Sequence, residues 1–254
     1  MRNAGKTPLT SGLHKQTLTF AGAVLAQLPR LSEAGQQNYV RNPKRLQKVL
    51  AKAFAEDLVQ EVENPCELDL ARWSDVYLKL FNRRPDLSGI RIPEKPEGVG
   101  PVRLIVVAKE LLEWTGNKPL EGVQEALKKH FPGWEYDNDL DVAIPTNDRD
   151  PKNGSYAVWV KDARGADDDL ENFSADDLAE KGIPGITMLE RQLLEADYFW
   201  QRGEHLDQQN WTLCSGSRDR DGSVPHVNWN DWFRVNWASR STRNPRLRSR
   251  RVWA

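Results

Sequence analysis

The C-terminal segment, residues 211–254, constrains the fold more than any other part of the chain, because its apolar residues recur at every second position. Val227 and Trp229 stand between polar residues. After a short turn, Val235 and Trp237 continue the same alternation. The pattern predicts an antiparallel hairpin with one apolar face and one polar face.

The same segment is basic and rich in tryptophan. It contains nine Arg, no Lys and three Asp, a net charge of +6, whereas the whole chain has a net charge of -1. It also holds five of the ten Trp residues: Trp211, Trp229, Trp232, Trp237 and Trp253. Trp and Arg beside Ser and Asn are typical of recognition surfaces, although an ordinary solvated sheet face has a similar composition. Composition therefore leaves both interpretations open.

The whole chain has the composition of a folded protein. Its 254 residues, 39% hydrophobic and 29% charged, suffice for one or two domains with their own cores. A mean hydropathy of -0.69 and the lack of an apolar run of about 20 residues exclude a membrane span. The stretch FAGAVLA near the N-terminus meets Gln27 and Pro29 without a cleavage site and does not favour secretion. Cys66 and Cys214 are far apart and lack metal-ligand spacing, so we expect no disulfide, no zinc site, no cofactor and a cytoplasmic location.

Apolar residues at steps of three and four predict mainly helices in the first half of the chain. The predicted helices span residues 42–63, 68–81, 102–114 and 120–130. The segment RIPEKPEGVGP is rich in Pro and Gly and indicates a linker. We therefore expect a helical N-terminal region at residues 1–98 and a helical connecting segment at 99–150. The last two helices resemble a helix-turn-helix, but the second carries Glu121 and Glu125 where a DNA-recognition helix needs cations.

After residue 150 the pattern becomes a mixture of strands and helices. Residues 155–161 alternate as a half-buried strand. Two capping boxes then start helices that end at glycines. The boxes are Ser174 with Asp177 and Thr187 with Glu190, and the glycines are Gly182 and Gly203. The hairpin and a last strand at 247–253 follow, so the order predicts an α+β fold.

The stretch WTLCSGSRDRDGSVPHVNWNDWFRVNWASRSTRNPRLRSRRVWA, residues 211–254, resembles the C-terminal variable region of target proteins of diversity-generating retroelements. The resemblance extends through the strand NGSYAVWVKD and the helices SADDLAEKG and ITMLERQLLEADYFWQRGEHLD, and it leaves residues 1–98 unexplained. It implies a C-type lectin fold of small antiparallel sheets and two helices over residues 151–254. In such a fold the two ends meet, so strand 155–161 is expected to pair with strand 247–253. In that family a reverse transcriptase copies a template repeat with errors at adenines, so that chosen surface positions vary while the scaffold stays.

The resemblance divides the variable region into a framework and a set of candidate diversified, ligand-binding positions. The framework residues are Trp211, Leu213, Cys214, Gly216, Gly222, Val224, Pro225, Trp229, Val235, Trp237, Leu247, Arg248, Arg250 and Val252. The candidate positions are Asp219, Arg220, Ser223, His226, Asn228, Asn230, Asp231, Trp232, Arg234, Asn236, Ser239, Arg240, Ser241, Thr242, Arg243 and Asn244. Four of these fall on the polar face of the predicted hairpin, which supports the division independently: His226, Asn228, Arg234 and Asn236.

The function that the resemblance implies is non-catalytic recognition of a variable macromolecular ligand, expected to be a protein. Two other functions stay open. The basic, Trp-rich tail suits a nucleic-acid-binding protein. However, three of its arginines are expected to pair with the acidic loop 167–169 or with helix ends instead: Arg248, Arg250 and Arg251. The triplet WND at residues 229–231 matches a calcium-site motif of carbohydrate-binding lectins, but the EPN or QPD partner motif is absent.

The sequence predicts neither a catalytic site nor a metal site. Four aspartates have the spacing of a calcium loop: Asp137, Asp139, Asp141 and Asp148. Val142 stands where such a loop needs Gly, so they indicate an acidic solvated loop. The four His have no nucleophile or carboxylate at a suitable spacing. Cys214 is interpreted as a small buried hydrophobe.

Overall fold

Six α-helices and nine β-strands form residues 66–254, the part of the chain that the computed structural model describes. The helices are α1 (Glu67–Phe81), α2 (Glu110–Trp114), α3 (Pro119–Lys128), α4 (Leu140–Ala143), α5 (Ala175–Glu180) and α6 (Met188–Arg202). The strands are β1 (Val102–Val107), β2 (Gly133–Glu135), β3 (Thr146–Asn147), β4 (Tyr156–Lys161), β5 (Trp211–Leu213), β6 (Ser217–Arg218), β7 (Val224–Trp229), β8 (Phe233–Ala238) and β9 (Leu247–Ser249). The predicted helix 42–63 lies outside the described residues, as do residues 1–65 of the predicted N-terminal region.

The strands form three sheets, of which the largest has five strands in the order β2-β8-β7-β5-β9. In this sheet β2 runs parallel to β8 and β9 parallel to β5, while β7 runs antiparallel to both of its neighbours. Strands β1 and β4 form an antiparallel pair, and so do β3 and β6. Helices and small mixed sheets share one compact unit, so the fold is α+β.

Helix α6 lies at the centre of the fold and is buried on all sides. Thr187 and Glu190 form the predicted capping box at its start, and it ends at Gly203, whose φ is 67°. The sequence pattern predicts one buried face, whereas every residue of the range 188–198 is buried. These include four charged side chains: Glu190, Arg191, Glu195 and Asp197. Each has an ion-pair partner, as the burial of a charge requires.

The predicted helix at residues 102–114 is wrong, because its first half forms strand β1 and only α2 is helical. The run VRLIVV is almost entirely apolar and mostly β-branched, and such a run fits a buried strand as well as a helix. Strand β1 pairs with β4 over its entire length. The predicted domain boundary at residue 150 therefore falls inside one compact unit.

Helix α1 confirms the predicted helix at 68–81 and is attached to β1 by two aromatic side chains. The indole Nε1 of Trp73 donates to the carbonyl oxygen of Leu104 at 2.8 Å. The Tyr77 hydroxyl donates to the carbonyl of Val106 at 2.9 Å, and burial raises the pKa of this phenol. The predicted helix at 120–130 and strand at 155–161 are confirmed as α3 and β4.

The predicted pairing of strand 155–161 with strand 247–253 is wrong except at one point. Strand β4 pairs with β1, and β9, which ends at Ser249, pairs with β5. Beyond β9 the chain meets β4 only at Trp253, which exchanges two backbone hydrogen bonds of 2.8 and 3.0 Å with Trp159. The reason is that residues 247–249 are paired with β5, while the carbonyl of Arg250 and the N–H of Val252 bond to Ile186 and Pro184, so only Trp253 meets the second edge of β4.

Candidate ligand-binding surface

Strands β7 and β8 form the predicted hairpin. Its turn comprises residues 230–232, and Asp231 has a φ of 60°. The outer face of the sheet carries two polar pairs across the hairpin: Asn228 opposite Arg234 and His226 opposite Asn236. The inner face carries Val227, Phe233 and Val235, each at most 1% exposed. The predicted alternation of the two faces is therefore confirmed for these residues, whereas Trp229 and Trp237, predicted on the same apolar face, are only partly buried.

An open basin of about 550 Å³ lies on the outer face beside the turn, and we call it the outer basin. It is lined by Gln208, Gln209, Trp211, His226, Asn228, Trp229, Asn230, Arg234, Asn236 and Arg246. Five of these belong to the candidate diversified positions: His226, Asn228, Asn230, Arg234 and Asn236. None of the lining residues is acidic. The basin is thus polar, aromatic and positively charged.

Sequence reasoning missed the residues that reach this surface from outside the variable region. Trp134 of β2 lies opposite Arg234, and its ring centroid is 5.0 Å from the guanidinium carbon. Tyr136 contacts the edge of Trp134, and these two rings are 69% and 37% exposed, respectively. Gln208 and Gln209 come from the loop after α6. The only signal in the sequence was the short alternation GWEY, which is too brief to predict a strand.

The rest of the outer face is covered by a small second core. It consists of Leu170, Ala175, Leu178, Leu213, Val224, Ala238 and Leu247. Val224 and Ala238 are paired at the end of the hairpin that lies away from the turn. The outer face is therefore open beside the turn and closed at the other end.

His226 departs from the prediction of an open, diversified position, because its side chain is only 7% exposed. Its ring stacks on that of Trp211, with the centroids 5.2 Å apart and the planes 15° from parallel. Burial lowers the pKa of the imidazole from 6.5 to about 4. The Nδ1 atom has no hydrogen-bond partner within residues 66–254. His226 is therefore neutral at physiological pH, and its Nδ1 atom is buried without a hydrogen bond to any described residue.

The remaining candidate positions lie at the two ends of the hairpin. Asp231 and Trp232 belong to the turn, and Trp232 is 50% exposed. The others belong to two loops at the opposite end: Asp219, Arg220, Ser223, Ser239, Arg240, Ser241, Thr242, Arg243 and Asn244. These loops are adjacent because the last pair of the hairpin is Val224 and Ala238. The structure therefore brings the sixteen candidate positions to one face and the two ends of a single hairpin.

Ion pairs neutralise much of the positive charge of the C-terminal segment. Five of its nine arginines pair with acidic residues from outside the segment: Arg240 with Asp176, Arg243 with Asp177, Arg248 with Asp168 and Glu171, Arg250 with Asp207, and Arg251 with Asp169. The predicted pairing with loop 167–169 is confirmed for Arg248 and Arg251. For Arg250 it is wrong, because this guanidinium is buried and binds the buried Asp207.

Asp207 joins two buried arginines beneath the inner face. Its carboxylate accepts hydrogen bonds from Arg191 Nε at 2.9 Å and from Arg250 Nη2 at 2.7 Å. Burial by itself would raise the pKa of Asp207, but the charges of Arg250 and Arg191 lower it below its usual value. The backbone N–H of Trp229 donates to the carbonyl of Asp207 at 3.1 Å, so this cluster is attached to the hairpin.

The described residues also bear on metal binding and catalysis. Within residues 66–254 no group of three or more His, Cys, Asp or Glu side chains could hold a metal ion. Three of the aspartates with calcium-loop spacing bind different partners: Asp137 the indole of Trp237, Asp139 the start of α4, and Asp141 the start of α3. Cys214 is fully buried near Met188, and burial raises the pKa of its thiol. The prediction of a small buried hydrophobe is confirmed.

The two longest described helices, α1 and α6, have 15 residues each. Within the described part of the chain, no helix is both long and apolar enough to cross a membrane. Comparisons of the chain with protein families, with curated proteins and with solved structures found no match.

Proposed function

We propose that the chain is a non-catalytic ligand-binding protein whose C-terminal surface is diversified by a retroelement, with a C-type lectin-like fold over residues 151–254. The observation that carries the proposal is the separation of framework from candidate positions. Nine of the fourteen framework residues are buried and none is fully exposed, whereas eight of the sixteen candidate positions are fully exposed and only His226 is buried. Diversification requires this separation, since surface substitutions usually change stability by only about 0.5 kcal/mol.

The proposed ligand is a protein. The outer basin and the turn beside it combine indole, amide and guanidinium groups, which are the groups that protein recognition surfaces use most. A framework of packed strands and buried ion pairs holds these groups more firmly than a free loop does. A cytoplasmic location and the absence of a cofactor remain predictions from the sequence.

The ion pairs weigh against the nucleic-acid-binding alternative. A nucleic-acid site needs several free cations along consecutive phosphates. Five of the nine arginines in the segment are already paired with acidic side chains. The calcium-lectin alternative is weakened as well. Asn230 and Asp231 lie in the turn, and the outer basin beside them has no acidic lining residue that could serve as a further Ca²⁺ ligand.

Two display libraries test the separation of framework from candidate positions. One library randomises the sixteen candidate positions, and the other randomises the fourteen framework positions; both are sorted for resistance to protease. We expect most members of the first library and few of the second to stay folded, since core positions tolerate few residue types. Position 226 should be the least tolerant of the sixteen, because His226 is buried. Equal losses in the two libraries would overturn the proposal.

The retroelement itself is tested in the genome that carries the gene. A near-copy of the stretch that encodes residues 211–254 should lie close to the gene and beside a reverse transcriptase gene. The two copies should differ almost only where the template has adenine. A complete genome with neither element would remove the retroelement from the proposal, whereas the libraries would still test the binding surface.

A further inference from the structure

Two arginines of the outer basin, Arg234 and Arg246, have neither an ion pair nor a side-chain hydrogen bond within residues 66–254, unlike the five paired arginines of the segment. Each lies over an indole ring instead. The Arg234 guanidinium is 5.0 Å from the ring centroid of Trp134, and that of Arg246 is 5.9 Å from the ring centroid of Trp211. Stacking uses the flat face of a guanidinium and leaves the N–H donors at its edge free. Both cations are thus positioned without a hydrogen-bond acceptor.

The other polar walls of the outer basin are neutral amides. They are Gln208, Gln209, Asn228, Asn230 and Asn236. Each amide has donors and an acceptor, although the Asn236 side-chain oxygen already accepts from the backbone N–H of Trp237 at 2.8 Å. Since no lining residue is acidic, an anionic ligand group would meet two cations and no repelling charge.

His226 contributes a buried, neutral side chain to the wall of the outer basin. Its side chain is only 7% exposed, and its Nδ1 atom has no partner within the described residues. This nitrogen is itself inaccessible, so it offers no bond to a ligand in the basin. The imidazole is neutral and therefore adds neither a third positive charge nor a negative one to the basin.

Resting on the proposed function, we infer that the outer basin binds an acidic peptide segment of a protein partner, with its carboxylate held by Arg234 and Arg246. Guanidinium groups bind carboxylates through paired, charge-assisted hydrogen bonds. The amide walls match the backbone of a peptide, in which each residue carries one donor and one acceptor. A nucleic acid fits less well, because two free cations neutralise few phosphates.

A displayed library of random peptides tests this inference with the full chain as bait. Enriched peptides should be rich in Asp and Glu. The Kd of a synthesised binder should rise by about tenfold or more in Arg234→Gln and in Arg246→Gln, since each removes hydrogen bonds to a charged group. The matched control is Arg91→Gln, which removes the same charge from an exposed arginine outside both the basin and the candidate positions and should leave the Kd nearly unchanged. Melting temperatures show whether each variant is folded.

Four results would overturn the inference. Enriched peptides without acidic residues, or equal weakening by Arg91→Gln, would show that the two basin arginines do not select a carboxylate. If Asn228→Thr and Asn236→Thr abolish peptide binding while both arginine variants keep it, the recognition surface stands and the acidic ligand does not. Binding of a single-stranded DNA oligonucleotide that depends on the basin arginines, and is tighter than that of any peptide, would favour a nucleic acid.

An absence of enriched peptides would also overturn the inference. It would not contradict the proposed function, which the two randomised libraries and the genome comparison test separately. The failure of the acidic-peptide ligand is therefore distinguishable from the failure of the diversified surface.

Discussion

The two faces of the five-stranded sheet use arginine in opposite ways. Beneath the inner face, Arg191 and Arg250 are at most 1% exposed, and both bind the carboxylate of Asp207. On the outer face, Arg234 and Arg246 lie over indole rings, and neither has an acidic partner in the part of the chain that the structure describes. A broken buried ion pair leaves an unpaired charge, so the inner arginines cannot change one at a time. A substitution at an outer arginine breaks no such ion pair, so the residue type at these positions can change with the ligand.

Deletion of residues 247–254 should have the largest effect, because it removes the inner-face support. The deletion takes away β9, the ion pair of Arg250 with Asp207, and the backbone bonds between Trp253 and Trp159. We expect the loss to exceed a domain's stability of about 5 to 15 kcal/mol, so that no cooperative melting transition remains. Deletion of Ala254 alone is the control, and it should melt like the full chain. A truncated protein with an unchanged melting curve would contradict the role given to the terminal residues.

The next largest effect should come from Asp207→Asn. This change keeps the size of the side chain and suits the left-handed backbone at this position, φ 53°, yet it leaves the buried Arg250 without its anion and Arg191 with Glu195 alone. We expect the free energy of unfolding in urea to fall by about 3 to 5 kcal/mol. Asp231→Asn makes the same change at an exposed residue of the turn and should alter it by about 0.5 kcal/mol or less. If both variants lowered the free energy of unfolding by similar amounts, the buried ion pairs of Asp207 would not account for a difference between the inner and outer faces.

Two tryptophan variants compare how much a half-buried and an exposed side chain of the hairpin contribute to stability. Trp229 is half-buried and stacks on His205, with the rings 3° from parallel. Trp232 is 50% exposed. We expect Trp229→Ala to lower the free energy of unfolding by about 3 kcal/mol, the lower end of the range for a core tryptophan. Trp232→Ala should change it by about 0.5 kcal/mol. If Trp232→Ala were as destabilising as Trp229→Ala, the register of the hairpin would be wrong by one residue.

The sequence predicts those parts of the fold that rest on local patterns. Both capping boxes are set by residues three positions apart, and the faces of the hairpin follow from alternation alone. The helical prediction for β1 failed because a continuous apolar run has no period that separates a strand from a helix. What decided the matter was the pairing of β1 with β4, which is a tertiary contact.

The residues of the candidate site likewise fall into two groups, those that a local pattern predicts and those that only tertiary contacts bring to the site. Alternation places Asn228, Arg234 and Asn236 on the outer face, because the strand geometry fixes the side of every second residue. Trp134 reaches the same surface only through the parallel pairing of β2 with β8, which no local pattern reports. The burial of Glu190 and Asp197 in α6 is hidden for the same reason, since their partners, Arg149 and Arg103, come from distant parts of the chain.

The buried imidazole of the outer face should make stability depend on pH. In the folded chain burial holds the pKa of His226 at about 4, against 6.5 in the unfolded chain, so only the unfolded chain takes up a proton between these values. Stability is therefore full above about pH 6.5 and is lost as the pH falls, by about 1 to 2 kcal/mol at about pH 5. This loss is measured as the free energy of unfolding in urea at about pH 5 and above about pH 6.5, for the parent protein and for His226→Gln. The loss should be smaller in the variant. Equal losses would show that His226 is not the group responsible.

The smallest effect on stability should come from changing the open residues of the outer surface together. The variant combines Asn228→Thr, Trp232→Ser, Arg234→Gln and Asn236→Thr, all at partly or fully exposed positions. His226 is left unchanged because it is buried. Each substitution should alter the free energy of unfolding by about 0.5 kcal/mol or less, so the melting temperature should stay close to that of the parent protein. Peptide binding should nevertheless be lost, because aromatic and arginine side chains contribute most of the free energy of an interface. A variant that unfolds as readily as Trp229→Ala would show that the outer face belongs to the core; one that melts normally and still binds the peptide would place the recognition surface elsewhere.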